Sequence, residues 1–215
     1  MISYRTFKFY TMKILGLDIH YPIKKINRKK VIFIHIPKTA GTSISNFLGF
    51  FSKKHYTARQ VIDKVGNLWD KSFKFTVVRD PYERVLSMYY EYLRVNKIPI
   101  ADRGKKFSFE NWVINCFQEK NEDYLKWKPF FFTQKKWLEN HSGEINMDYI
   151  ARFENLEREM NLISNIIGLK GELPKLNKSS SKKEYEFHRT ETTDKIIQNY
   201  FSDDFEYFGY KKNNK

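Results

Sequence analysis

Residues 35–43 of this 215-residue chain, HIPKTAGTS, combine residue types that bind a phosphate or another small anion. Lys38 supplies a positive charge, and Thr42 and Ser43 supply hydroxyl groups. Gly41 has no side chain, so the backbone there can approach a ligand closely. A short loop that opens a helix points its backbone N–H groups and the helix dipole toward one place. The motif predicts an anion site, although an ordinary strand-to-helix turn capped by Thr or Ser explains it equally well.

A second group of polar residues lies in residues 76–89, TVVRDPYERVLSMY. Arg79 is expected to end a strand, at the edge where open α/β sheets bind their ligands. Ser87 lies about two helical turns further along. Arg79 could bind a phosphate through two N–H groups, and Ser87 could donate its hydroxyl. Taken alone, an ion pair between Arg79 and Asp80 and a solvated Ser87 explain these residues better.

The elements that must position these residues alternate between strand and helix patterns. Short apolar runs rich in β-branched and aromatic residues predict strands at 31–36, 73–78 and 149–153. Apolar residues at helical spacing predict helices that begin near Thr42, at Pro81 and after Thr190, and others over 109–117, 131–138 and 154–167. This alternation predicts a three-layer α/β domain, with a mostly parallel central sheet flanked by helices.

Charge and composition limit the classes of function. The chain has 39 Lys and Arg residues against 25 Asp and Glu residues, a net charge of +14. This excess favours an anionic partner, although surplus lysine that keeps a protein soluble also explains it. No apolar run reaches the roughly 18–20 residues of a membrane-spanning helix. The single cysteine, Cys116, excludes an internal disulfide and zinc sites that need several thiolates.

Residues 1–30 are predicted to be a basic N-terminal extension, because eight Lys and Arg residues stand there against Asp18 alone. The domain is predicted over residues 31–210, followed by a basic tail at 211–215. Residues 1–30 lack the pattern of a signal peptide, so we expect a cytoplasmic protein. The basic, aromatic segment also suits peripheral association with an anionic membrane surface.

Together, HIPKTAGTS and VVRDPYERVLSMY closely resemble the two cofactor signatures of the sulfotransferases, in the version of the carbohydrate branch. Weaker similarity extends from residue 30 to residue 210 and includes Gln134, which it places near the acceptor. The resemblance implies a P-loop-like fold. It also implies 3′-phosphoadenosine 5′-phosphosulfate (PAPS) as sulfuryl donor and adenosine 3′,5′-bisphosphate as product. The acceptor is expected to be a hydroxyl group of a carbohydrate. The positive net charge of the chain favours an acidic carbohydrate. Neither a metal ion nor nucleic acid is expected to take part.

The resemblance also implies roles for individual residues. Lys38 would stabilise the leaving bridging oxygen and the sulfuryl oxygens. The 5′-phosphate would be held by five consecutive residues, Thr39, Ala40, Gly41, Thr42 and Ser43. Arg79 and Ser87 would bind the 3′-phosphate. Lys182 and Lys183, in the loop KSSSKK at 178–183, would close over that phosphate; a flexible, solvated loop is the alternative.

A sugar hydroxyl needs a general base near its line of attack. His55 is the first candidate, since it occupies the place where relatives carry a histidine thought to be catalytic; a surface histidine beside two lysines is the alternative. Glu83 and Glu91 are the runner-up bases, although a solvated helix face explains both residues better. His35 is expected to be packed inside the fold, and His188 to be a loop residue that could touch the acceptor.

Two other classes of function fit part of the sequence. A Mg²⁺-dependent nucleotide kinase or NTPase also has a phosphate loop after a strand, but its Walker A lysine follows the second glycine, whereas Lys38 precedes Gly41. A non-catalytic module that binds polyanions explains the charge, but not two phosphate-type elements after consecutive strands. A sulfotransferase homologue without activity is also open, because the motifs report binding more directly than turnover.

Overall fold

The computed structural model describes residues 22–49, 55–98, 107–124, 128–171 and 188–212. The chain divides into two compact units. The first unit comprises Met1–Val78 and Trp137–Asn177, and the second comprises Arg79–Lys136 and Lys178–Lys215. The expectations for Lys182 and Lys183, for most of the N-terminal extension and for residues 213–215 fall outside the described residues.

A four-stranded sheet organises the first unit. Its strands, in spatial order, are β1 (Ile23–Ile26), β2 (Lys29–Ile34), β3 (Phe73–Val78) and β4 (Tyr149–Arg152). Strands β2, β3 and β4 run parallel, and β1 pairs antiparallel with β2. The predicted α/β class with a mostly parallel sheet is therefore confirmed. All three predicted strands are present, each within two residues of its predicted bounds.

The described residues form eight α-helices, which in chain order are α1 (Gly41–Leu48), α2 (Ala58–Val65), α3 (Pro81–Val95), α4 (Phe109–Val113), α5 (Gln134–Leu138), α6 (Leu156–Ile167), α7 (Glu191–Tyr200) and α8 (Ser202–Phe208). A π-helical turn, Ile114–Gln118, continues α4, so the helix predicted over 109–117 is present as two segments. The helix predicted over 131–138 is shorter, because a 3-10 turn at Lys128–Phe131 precedes α5. No described helix is long and apolar enough to cross a membrane.

Strand β1 lies inside the segment that the sequence analysis treats as an extension. Asn27, with φ of 52°, forms the tight turn between β1 and β2. Its side-chain amide donates hydrogen bonds to the carbonyls of Ile167, at 3.3 Å, and Gly168. Ile26 is buried in the core. The fold thus includes residues before the predicted boundary at 31, because lysines, which are common on edge strands, obscure the apolar pattern of IKKI.

One face of the sheet packs against α1 and α6. The rings of Phe33 on β2 and Phe75 on β3 stack with centroids 4.9 Å apart. They share one apolar cluster with residues of both helices, Ile44 and Leu48 from α1 and Met160, Ile163 and Ile167 from α6. Gly168 follows α6 in a left-handed conformation, with φ of 69°, and the helix ends at residue 167 as predicted. This packing fixes the carboxyl end of β2, where the first motif begins.

The second unit has an aromatic core around α3. Residues of α3 that include Leu86, Met88 and Tyr89 pack with residues of α4 and its π-helical turn and with the α7–α8 segment, namely Trp112, Val113, Phe117, Ile197, Phe201 and Phe205. Pro81 occupies the first turn of α3, as predicted. These contacts bury one whole side of α3 and so hold the helix that carries the second motif.

Candidate functional site

The first motif forms the loop between β2 and α1, within the first unit. Lys38 and Ala40 both adopt left-handed backbone conformations, with φ of 71° and 64°. Such conformations cost L-residues roughly 1–2 kcal/mol each, so the surrounding structure must hold them. Thr39 contributes to this, because it is fully buried and its hydroxyl donates a 2.9 Å hydrogen bond to the Ile36 carbonyl. Contacts within the protein therefore define the shape of this loop.

The first turn of α1 has no side chain that caps it. The N-cap residue is Ala40, which makes no side-chain cap hydrogen bond, and the first turn contains no acidic residue. Most helices begin at Ser, Thr, Asp or Asn, whose side-chain oxygen accepts from a first-turn N–H group. The backbone N–H groups of Gly41, Thr42 and Ser43 have no such side-chain acceptor, and the oxygen atoms of a bound phosphate would supply one. The alternative of a turn capped by Thr or Ser is therefore wrong.

Gly41 is required for a reason that the sequence analysis missed. A Cβ atom at this position would lie 1.7 Å from Cδ2 and 1.9 Å from Nε2 of His35. His35 is only 6% exposed, and its ring stacks on Phe33 with centroids 5.7 Å apart. The ring therefore has little room to move aside. Any side chain at position 41 would displace His35, which is packed inside the fold as expected.

The main chain of His35 holds His55 beside this loop. Nδ1 of His55 lies 2.8 Å from the carbonyl oxygen of His35. Because a carbonyl only accepts, Nδ1 carries the hydrogen, and Nε2 is then the basic nitrogen of the neutral ring. The centroids of the His35 and His55 rings lie 3.9 Å apart. The Trp137 ring packs edge-on against His55, with centroids 6.2 Å apart. His55 is half-buried, so its ring is partly shielded from solvent.

Burial lowers the pKa of His55 below its usual value of 6.5. The hydrogen bond to the His35 carbonyl opposes this shift, and the positive charge of Lys38 adds to it. His55 is therefore mainly neutral at pH 7 and able to accept a proton. His55 is held at the carbonyl of His35, three residues before Lys38, so both candidate residues lie beside the loop between β2 and α1.

Helix α2, which the sequence analysis did not predict, fixes the chain immediately after His55. The Thr57 hydroxyl accepts from the backbone N–H of Gln60 at 3.4 Å, and the Gln60 side chain accepts from the Thr57 N–H at 3.0 Å. This reciprocal pair is a capping box. The spacing of Thr and Gln at 57–60 is the sequence signal that could have located the helix and, with it, the position of His55.

The second motif begins α3, within the second unit. The Asp80 carboxylate accepts from two first-turn N–H groups, at 2.9 and 3.2 Å, and so caps the helix. Arg79 is 1% exposed, and its Nη2 lies 3.3 Å from Oε2 of Glu83. Asp80 therefore caps the helix, and Arg79 pairs with Glu83, one turn further along α3. Ser87 is buried rather than solvated.

The remaining candidates have other surroundings. Gln134 is completely buried and hydrogen-bonded to the backbone of Arg79, so its amide is used inside the protein and not on an acceptor. Of the runner-up bases, Glu83 pairs with Arg79, and Glu91 pairs with Arg94 at 2.6 Å. His188 lies 3.0 Å from the Tyr90 hydroxyl, among aromatic rings. Within the described ranges, no three His, Cys, Asp or Glu residues are grouped as a metal site would require.

Comparison with known proteins gives one match. The sequence model of the sulfotransferase family matches residues 23–211, which is most of the chain. The matched region begins at the first residue of β1 and ends after α8. Neither the curated proteins nor the solved structures yield a significant match.

Proposed function

The chain belongs to the sulfotransferase family, and we propose that it transfers the sulfuryl group of PAPS to a hydroxyl group of a carbohydrate. Sulfuryl transfer in general follows from the family. The donor and the acceptor are the proposed part. The observation that carries the proposal is that Lys38 lies in a loop that opens an uncapped helix, and that the His35 carbonyl at 2.8 Å holds His55 beside the same loop with its Nε2 as the basic nitrogen.

The residues present suit the two phosphates of the donor. The N–H groups at the start of α1, which no side chain caps, would bind the 5′-phosphate together with the backbone of Thr39 and Ala40. Arg79 and Ser87 would bind the 3′-phosphate, whose presence separates PAPS from ATP. The buried guanidinium of Arg79 is suited to two parallel hydrogen bonds with phosphate oxygens. Lys182 and Lys183 remain predicted contacts to the same phosphate.

The chemical step is an in-line displacement at sulfur. A bond forms between the acceptor oxygen and sulfur while the bond from sulfur to the bridging oxygen of the 5′-phosphate breaks. Nε2 of His55 accepts the proton of the attacking hydroxyl. The ammonium of Lys38 stabilises the negative charge that develops on the bridging oxygen. The products are a sulfated acceptor, adenosine 3′,5′-bisphosphate and a protonated His55, which then releases its proton to water.

The net charge of +14 supports an acidic carbohydrate as acceptor, since a basic surface attracts an anionic substrate. We propose a cytoplasmic location, with peripheral association with an anionic membrane through residues 1–30. Nucleic acid is not proposed as a partner, because two phosphate-type elements fit a nucleotide donor better than an extended backbone.

The test is the formation of adenosine 3′,5′-bisphosphate from PAPS, followed by chromatography, without added metal. Neutral and acidic oligosaccharides are offered as acceptors. We expect turnover that depends on an acceptor and falls about 100-fold or more in Lys38→Ala and in His55→Ala. Lys71→Ala, at an exposed lysine of the first unit, is the matched control and should keep the wild-type rate.

Two results would overturn the proposal. The first is hydrolysis of ATP that requires Mg²⁺, with no reaction of PAPS. The second is steeply salt-dependent binding of polyanions in a protein that does not turn over PAPS with any acceptor.

A further inference from the structure

A buried series of hydrogen bonds in the second unit leads from Asp204 through Gln134 to Arg79. Asp204 and Gln134 are fully buried, and Arg79 is 1% exposed. The three residues come from three distant parts of the sequence, so only the folded unit brings them together. Arg79 is the residue through which we propose that the 3′-phosphate is bound.

The side chain of Gln134 acts on the backbone of Arg79. Its Oε1 accepts from the Arg79 N–H at 2.8 Å, and its Nε2 donates to the Arg79 carbonyl at 2.8 Å. In an antiparallel sheet, a residue of the neighbouring strand makes the same two hydrogen bonds, one to the N–H and one to the carbonyl of the residue opposite it. Arg79 follows β3 directly in the chain, so Gln134 keeps its backbone extended beyond the last strand residue. With the backbone fixed, the direction in which the Arg79 side chain leaves the main chain is fixed as well, and the pair with Glu83 at 3.3 Å holds its guanidinium.

Asp204, in α8, holds Gln134. Its carboxylate accepts from the backbone N–H groups of Gln134, at 2.8 Å, and Lys135, at 2.9 Å. These are the first N–H groups of α5, which a residue about 70 positions away therefore caps. Gln134 is thus anchored through its main chain while its side chain engages Arg79.

Arg84 holds the residues that precede Gln134. It is fully buried, and it donates hydrogen bonds to the carbonyls of Phe132, at 3.0 Å, and Phe130, at 3.2 Å. Its guanidinium also lies over the ring of Phe201, 5.7 Å from the centroid. Burial lowers the pKa of Arg84 to about 10 while the charge of Asp204 acts to raise it, so Arg84 stays charged at pH 7. The residues that precede Gln134 are therefore also tied to the core of the unit.

We propose that Gln134 is a positioning residue for Arg79, and that Asp204 keeps Gln134 in place. The inference rests on the proposed role of Arg79 at the 3′-phosphate. A guanidinium that is already aimed loses less freedom when the phosphate binds, which strengthens binding without any contact between Gln134 and the ligand. Loss of Gln134 leaves Arg79 in the chain but no longer held, so the contribution of the 3′-phosphate falls.

The experiment is isothermal titration of adenosine 3′,5′-bisphosphate and AMP into the full chain. The dissociation constant of AMP divided by that of the bisphosphate measures how much the 3′-phosphate strengthens binding. We expect Gln134→Leu to lower this ratio about tenfold and to leave AMP binding unchanged. In an Arg79→Ala background the same substitution should have no further effect, because Gln134 acts through Arg79. A role in general stability would not produce this pattern.

Gln134→Glu keeps the acceptor for the Arg79 N–H but, as a carboxylate, cannot donate to the Arg79 carbonyl. It should lower the ratio too, and it serves as the test if thermal unfolding shows that Gln134→Leu does not fold. Gln198→Leu is the matched control, since the Gln198 amide donates to the Tyr82 hydroxyl at 2.7 Å in the same unit. Its ratio should equal that of the wild type.

The outcomes separate this inference from the proposed function. A wild-type protein that binds both nucleotides equally contradicts the proposed function itself. A wild type that favours the bisphosphate, together with Gln134 variants that keep the full ratio, overturns the positioning role alone. A further loss when Gln134→Leu is added to Arg79→Ala also overturns it.

Discussion

The two motifs that we propose bind the phosphates of PAPS are built in opposite ways. In the first unit the groups proposed to bind the anion are main-chain N–H groups at the start of α1, and left-handed residues at 38 and 40 shape the loop. In the second unit the group is a side chain, Arg79, whose backbone is held by the buried amide of Gln134. One site depends on backbone conformation and the other on buried polar side chains.

This difference determines which substitutions each site tolerates. A site made of N–H groups is insensitive to most side-chain changes, but it fails where a new atom cannot fit, as at Gly41 beside His35. A site held by buried polar groups is sensitive at every one of them, because removing one partner leaves another buried and unsatisfied.

The largest expected effect is on the reaction. His55→Ala should lower kcat by about 10²–10⁴ with adenosine 3′,5′-bisphosphate binding largely kept, since a general base contributes that much. His141→Ala is the control, because this exposed histidine pairs with Asp63 at 2.9 Å and is not placed in the site. A His55 variant that keeps the wild-type rate would contradict its assignment as the base.

The pH dependence of kcat/KM follows from the same residue. Burial lowers the pKa of His55 below 6.5, so the base is unprotonated at pH 7. The rate should therefore be steady near neutral pH and fall about tenfold per pH unit only below that lowered pKa. Initial rates from about pH 5 to pH 8 measure this limb. A midpoint above 6.5 would contradict the neutral, buried base.

The largest effect on stability is expected at Asp204. Asp204→Ala removes the acceptor of two buried N–H groups and the carboxylate whose charge acts on buried Arg84, which should lower the free energy of unfolding by about 3–5 kcal/mol. The adjacent Asp203 is the matched control. Its carboxylate lies 3.8 Å from Lys135 and is 56% exposed, so Asp203→Ala should change stability by less than about 0.5 kcal/mol. Urea unfolding measures both, and equal effects would contradict the buried network.

A smaller but more local effect is expected at Gly41. Gly41→Ala places a Cβ atom inside contact distance of His35, which should cost about 1–3 kcal/mol of stability and disturb the carbonyl that holds His55. Ala40→Gly, one residue earlier, should be neutral or slightly stabilising, since glycine adopts its left-handed conformation without strain. If thermal unfolding and turnover are the same for Gly41→Ala as for the wild type, the steric account is wrong.

Some strands and helix ends are predictable from the neighbouring residues alone. Strand β3 has its predicted bounds, because an apolar run between a serine and the Arg-Asp-Pro turn is a local signal. Pro81 and Gly168 mark helix ends for the same reason. Strand β1 was missed because it is half lysine and depends on pairing with β2.

Some features of the candidate site are likewise predictable from neighbouring residues, and others depend on contacts between distant parts of the chain. The loop at 35–43 and the motif around Arg79 follow from neighbouring residues, so the sequence alone indicated them. The hydrogen bonds of Gln134 to Arg79 span 55 residues, and the role of Gly41 depends on the ring of His35 after folding. No local pattern encodes such contacts, which is why Gln134 was expected near the acceptor instead.

The smallest expected effect compares two capping boxes. Thr57 begins α2 beside His55, and Thr190 begins α7 in the second unit. Replacing either by Ala should cost about 1 kcal/mol of stability. Only Thr57→Ala should also lower turnover, because it loosens the chain next to the base. A loss of turnover that is equal in the two variants would show that turnover merely follows stability.

The most direct test of the central claim is titration of adenosine 3′,5′-bisphosphate, AMP and ATP without metal. We predict that the bisphosphate binds most tightly, that Lys38→Ala weakens the bisphosphate and AMP alike, and that Arg79→Ala removes only the advantage of the bisphosphate. Equal affinity of the wild type for all three nucleotides, or tight binding of ATP alone once Mg²⁺ is added, would contradict the assignment of the two motifs to the two phosphates of PAPS.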